Sequence, residues 1–157
     1  MIFNEEQVKQ FLPHRDPFLF VDSVESIECP HEDPKSAKDL VGSSVVAHYR
    51  TKKEHEIFKG HFPGNPIFPG VCQVEMMAQG ACFIVSKMAD DPCNCDLEVA
   101  LMGIESAKFR RPILPEMDLV ITATCTKARG VVMYYECAVA HEGKPVAQCT
   151  VMASAKV

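Results

Sequence analysis

The sequence predicts an α+β domain in which a long, nearly all-apolar helix is covered by an antiparallel sheet. Three observations carry that reading. Between Gly70 and Ser86 the only charged residue is Glu75, and Val71, Val74, Ala78, Ala81 and Val85 recur at helical spacing. The other face of this segment is also largely apolar, so it needs cover on most sides. The C-terminal half is cut by the turn signals Arg129-Gly130 and His141-Glu142-Gly143-Lys144 into extended, alternating segments. The whole order is a short helix, two strands, the long helix and three or more strands, with no linker or repeat, which predicts one domain over residues 1–157.

Each element has a local reason. Asn4 can cap a helix from Glu5 to Phe11, with Val8 and Phe11 facing inward, and Pro13 ends it. Phe18 to Ile27 reads as the first strand, with Phe18, Phe20 and Val24 on one face. Glu28 to Asp39, rich in charge and proline, reads as a surface loop, and Val41 to Thr51 as the second strand. His55 and Glu56 are expected at the surface. The long helix is expected to stop near Met88, because Asp90-Asp91-Pro92 cannot easily continue it. Glu98 to Arg110 reads as a strand, Asp118 to Lys127 and Val131 to Ala140 as a hairpin, and Val146 to Lys156 as the last strand.

Composition excludes several function classes. With 157 residues and 47% hydrophobic content, the chain can bury a real core and is not disordered. A net charge of −5 argues against general nucleic-acid binding. Glu75, Gln79 and Lys87 interrupt the most apolar stretch, so no membrane span is expected. Met1 is followed by Ile2-Phe3-Asn4-Glu5-Glu6-Gln7 rather than a basic, apolar leader. The eight cysteines are therefore expected to be reduced thiols of a cytoplasmic protein, most of them small core residues. Cys93-Asn94-Cys95 has no second pair at ligand spacing, and His55-Glu56 with His61 lacks the spacing of a zinc-protease helix. No metal and no cofactor are expected.

Chemistry concentrates at the start of the long helix. In the loop Gly60-His61-Phe62-Pro63-Gly64-Asn65-Pro66-Ile67-Phe68-Pro69-Gly70, three prolines restrict the backbone while three glycines permit turns. Such a loop can hold His61 in one place. Taken alone, His61 is a loop histidine, and Glu75 a carboxylate at a wet edge or satisfied by an internal partner. Gln79 lies on the same helical stripe as Glu75 and can orient it. The first-turn amides after Gly70 lack intrahelical acceptors and sit at the positive end of the helix dipole. A histidine, an acid and an anion-stabilising amide within one segment form the inventory for proton abstraction beside a carbonyl.

This segment resembles the active-site signature of the 3-hydroxyacyl-acyl-carrier-protein dehydratases of type II fatty acid synthesis. The resemblance extends to Leu12-Pro13-His14-Arg15-Asp16-Pro17-Phe18-Leu19-Phe20-Val21-Asp22 and to Met102-Gly103-Ile104-Glu105-Ser106-Ala107-Lys108-Phe109-Arg110-Arg111-Pro112. It implies a hot-dog fold, the sheet wrapping the helix, and reversible loss of water from a 3-hydroxyacyl thioester on an acyl carrier protein to give a trans-2-enoyl thioester. By this resemblance His61 removes the C2 proton and Glu75, kept protonated by its apolar helix, protonates the leaving 3-hydroxyl. The Gly70 amide then serves the thioester oxygen. Substrate contacts are implied at Gly70, Val71, Phe62, Pro69 and Gln79, and carrier docking at Lys108, Arg110 and Arg111. The family also implies a homodimer sharing His61 and Glu75 across its seam, and a possible trimer of dimers.

Three features bear on specificity. The family's usual aromatic after Arg15 is Asp16 here. Its frequent aromatic pair before Met102 is Ala100 and Leu101, implying a more open tunnel mouth and tolerance of longer or bulkier acyl chains. Glu at position 75, where the isomerising relatives carry Asp, places the chain with dehydratases that do not move the double bond. The competing readings are a dehydratase of a secondary pathway of polyketide or aryl-polyene type, a coenzyme A thioester hydratase, a hot-dog thioesterase and a non-catalytic acyl-thioester binding module.

Overall fold

The computed structural model describes residues 1–157. The chain runs α1 (Glu5–Phe11), β1 (Ser23–Glu28), β2 (Ser44–Arg50), α2 (Glu56–Gly60), α3 (Gly70–Cys82), β3 (Glu98–Phe109), β4 (Asp118–Arg129), β5 (Val132–His141) and β6 (Lys144–Lys156). The strands form one antiparallel sheet in the order β1-β2-β4-β5-β6-β3. Its concave face wraps α3, which packs against β2, β3, β4, β5 and β6.

The contact between helix and sheet is close. A Cβ on Gly80 would fall 2.8 Å from Ile121 Cγ2 on β4, so only glycine lets α3 sit this deep. Met76, Met77, Phe83, Ile84 and Val85 are fully buried, in one core with Ile121, Tyr135 and Val151 of the sheet. After Cys82 the helix tightens into a 3-10 segment, Phe83–Met88, and stops where the prolines and aspartates predict. The α1 cap is as expected. The Asn4 side chain accepts the Gln7 N–H and the Gln7 side chain accepts the Asn4 N–H, each at 3.0 Å.

The structure corrects the local reading in four places. The first strand starts at Ser23, not Phe18. Leu19, Phe20 and Val21 are buried, and the Phe18 carbonyl and Phe20 N–H pair with the Gln79 side chain instead of a neighbouring strand. The expected loop before β2 contains a 3-10 turn, Ala37–Leu40, that buries Ala37 and Leu40. His55 is half-buried rather than exposed: its Nδ1 accepts the Ile57 N–H at 3.1 Å and caps α2, a helix too short for a periodic signal. Val71, on the predicted buried stripe, is 79% exposed because it lies in the first turn of α3, ahead of the sheet's cover.

The two sheet edges differ. β1 is six residues long and is bridged by Phe3. The other edge is β3, twelve residues long, with Leu101, Met102, Ile104 and Phe109 exposed. This longer edge leaves unpaired backbone groups and apolar side chains in solvent.

Candidate active site

The Pro/Gly loop places His61 by backbone contacts. Its Nδ1 lies 2.7 Å from the Ile67 carbonyl oxygen, which can only accept, so Nδ1 carries the proton and Nε2 keeps its lone pair. The Ile67 N–H returns a bond to the His61 carbonyl at 2.8 Å, and Phe62 and Asn65 exchange backbone bonds at 2.9 and 2.8 Å. Phe62 stacks on the imidazole with ring centroids 4.0 Å apart.

His61 opens onto a cleft of about 280 Å³ whose lining includes Gly70, Phe109, Arg110 and Arg111. Pro69 precedes α3 with no side-chain cap, and no acid occupies the first turn, so the helix N-terminus is left to whatever enters the cleft. Gly70 lies close under Phe109: a Cβ there would sit 3.1 Å from the ring, which would have to shift. The cleft lining does not include Glu75.

Glu75 sits one helical turn further along, in a pocket built from distant chain. Gln79 Nε2 donates to Glu75 Oε1 at 2.8 Å, and His14 Nε2 lies 3.2 Å from the same oxygen. Gln79 is itself fixed, since its Oε1 accepts the Phe20 N–H at 2.8 Å and its Nε2 also donates to the Phe18 carbonyl at 2.9 Å. Burial pushes the Glu75 carboxyl up, but the close approach of His14 and the hydrogen bond from Gln79 outweigh it and leave the pKa below the ordinary value. The expectation that the apolar helix alone keeps Glu75 protonated is therefore corrected for the single chain.

The remaining predicted residues separate. Phe62 and Val71 are exposed beside the cleft, and Pro69 is buried beneath it. Gln79 is 1% exposed with its amide occupied, so it orients Glu75 and offers substrate no surface. Arg110 and Arg111 reach the cleft, Arg110 also donating to Gln148 Oε1 at 3.0 Å, while Lys108 is exposed outside its lining. Burial raises the Cys72 thiol and pushes Cys82 up to about 12, which makes both poor nucleophiles. No group of three or more His, Cys, Asp or Glu side chains is arranged to hold a metal ion, and no helix is long and apolar enough to cross a membrane. The sequence reading missed His14 as a partner of Glu75, although His14 lies within the Leu12-to-Asp22 stretch that carries the family resemblance.

A sheet wrapped around a central helix defines a hot-dog protein. Solved structures share this fold: the dehydratase heterocomplex ApeI:P from Xenorhabdus doucetiae superposes with a TM-score of 0.72 at 14% identity, covering 96% of this chain and 91% of that one. A hot-dog-like protein from Thermanaerovibrio acidaminovorans does so at 0.58 and 14%, covering 74% and 82%. In sequence, residues 37–150 match the ApeI-like family model, described as ApeI dehydratase. The 3-hydroxyacyl-[acyl-carrier-protein] dehydratase FabZ of Ehrlichia canis (strain Jake) is 37% identical over 99% of this chain and 97% of its own length. The chain belongs to the 3-hydroxyacyl-[acyl-carrier-protein] dehydratase family.

Proposed function

We propose that this enzyme reversibly dehydrates 3-hydroxyacyl-acyl-carrier-protein to trans-2-enoyl-acyl-carrier-protein in fatty acid biosynthesis, as a homodimer whose active sites combine His61 of one subunit with Glu75 of the other. The carrying observation is the cleft that holds a histidine with a free Nε2 beside an uncapped helix N-terminus. His61 Nε2 takes the C2 proton, and the electron pair moves toward the thioester carbonyl, whose oxygen is met by the Gly70 N–H. As the carbonyl reforms, the C2–C3 double bond closes, the C3–O bond breaks, and the hydroxyl leaves as water with a proton from Glu75. The proton on His61 returns to Glu75 through solvent.

Two features support the shared site. His61 and Glu75 open onto different surroundings within one chain, and the open β3 edge offers a place for a second β3 to extend the sheet over Leu101, Met102 and Ile104. The partner and a bound acyl chain add desolvation, the one influence on Glu75 that favours its protonated form. Arg110 and Arg111 at the cleft suit an acidic carrier despite the negative total charge.

The test is mass spectrometry of purified 3-hydroxyacyl carrier protein incubated with the enzyme. Loss of one water from the acyl group is expected. Release of the free carrier thiol would mark a thioesterase instead, and an unchanged mass would overturn the proposal.

A further inference from the structure

Resting on the proposed dehydration, we infer that His14 is a positioning residue for Glu75, fixing which carboxyl oxygen exchanges the proton and stabilising the carboxylate left when water departs. Gln79 Nε2 donates to Oε1 at 2.8 Å, and His14 Nε2 lies 3.2 Å from the same oxygen. An oxygen crowded by both groups has little room for a proton of its own, so the transferable proton belongs on Oε2.

The His14 ring is arranged for that duty. Its side chain is 19% exposed, and its Nδ1 is buried with no hydrogen-bond partner. A proton on Nδ1 would be a buried, unpaired donor, whereas a bare Nδ1 leaves only an unused lone pair, so the ring is held as the tautomer with hydrogen on Nε2. The turn carrying it is clamped by Arg15, whose guanidinium Nη1 donates to the Leu12 and His14 carbonyls at 2.8 and 2.7 Å. N–H groups this close to Oε1 favour the carboxylate over the acid, so their effect grows as Glu75 gives up its proton.

Around Glu75 the titratable groups are His14 from the turn after α1, the thiols of Cys72 and Cys82 on the helix side, and, in the proposed dimer, His61 of the second subunit. Of those in this chain, only His14 brings a polar atom within 3.2 Å of the carboxyl. Its removal therefore has a definite sign: Glu75 loses a stabiliser of its charged form and its pKa rises.

The experiment compares His14→Phe, a ring with no donor, with His14→Gln, whose amide ends near the Nε2 position. His14→Asn, whose shorter amide falls short of Glu75, takes the place of the Phe variant if that one does not fold. Expected for Phe or Asn are a kcat loss of about 10–100-fold with KM nearly unchanged, and a move of the alkaline limb of the pH–rate profile, where the acid Glu75 ionises, to higher pH. The Gln variant should recover most of both. The same shift should appear in the titration of the Glu75 carboxyl by ¹³C NMR of the free protein, assigned with Glu75→Gln. If wild-type protein fails to dehydrate while that titration still moves, the functional reading falls and the His14 pairing stands. Equal loss in the Gln and Phe variants, or a Glu75 titration unaffected by either, overturns it.

Discussion

His61 and Glu75 are held by opposite means. The imidazole is fixed by backbone atoms of its own loop, with Ile67 as its partner, and it opens onto a cleft. The carboxyl is fixed by side chains, His14 and Gln79, and Gln79 is in turn strapped to Phe18 and Phe20, far away in sequence. Placing the base needs only one stiff segment. Placing the acid requires that the N-terminal turn has docked on α3, so acid function is coupled to correct tertiary packing.

That contrast can be broken most sharply by removing each group and then mixing the damaged chains. His61→Ala or Glu75→Gln alone should lose about 10²–10⁴-fold in rate, the range for general acid or base catalysis. A mixed dimer of the two variants carries one intact site if the groups meet across the seam, so co-expression should restore a large fraction of activity. Absence of recovery in a demonstrated heterodimer would confine the site to one subunit.

The next effect probes the packing that holds the acid. Gln79→Leu leaves the Phe20 N–H and Phe18 carbonyl without their partner, at a cost of about 2–3 kcal/mol read from the urea midpoint. It also changes the pH dependence. Because the folded Glu75 pKa lies below its ordinary value of 4.5, its contribution is present above that pH and is lost as pH falls through the folded value. The variant should show a shallower loss of stability on the acid side. An unchanged acid limb would mean that Gln79 does not support the carboxylate.

The smallest effect sharpens the comparison at the cleft mouth. Reversing Arg110 and Arg111 to Glu should raise KM several-fold for carrier-bound substrate and leave a small thioester mimic nearly unaffected. Equal changes for both substrates would remove these arginines from docking.

Both halves of the proposed site lay within the sequence reading, but their supports were unequally legible. The Pro/Gly loop and the lone helical acid stand out because each violates the pattern around it. Gln79 announced itself by helical spacing, although burial makes it an orienting group and not a substrate contact. His14 was visible only as part of a neighbouring motif, since nothing in a linear chain brings position 14 to position 75. The misplaced start of β1 has the same origin: the apolar run from Phe18 to Val21 looks like a strand, yet a side chain of the helix takes its backbone bonds.

The sequence by itself determined the buried helix, the stiff loop at its start and the final hairpins, because hydrophobic period, proline and glycine act over a few neighbouring residues. Only the tertiary structure decided that β3 is an open edge, that α3 meets β4 at Gly80, and that Glu75 accepts from Gln79 beside His14. Those outcomes depend on which distant surfaces exclude water together, and the proton affinity of a half-buried carboxyl is set by the donors that such docking delivers.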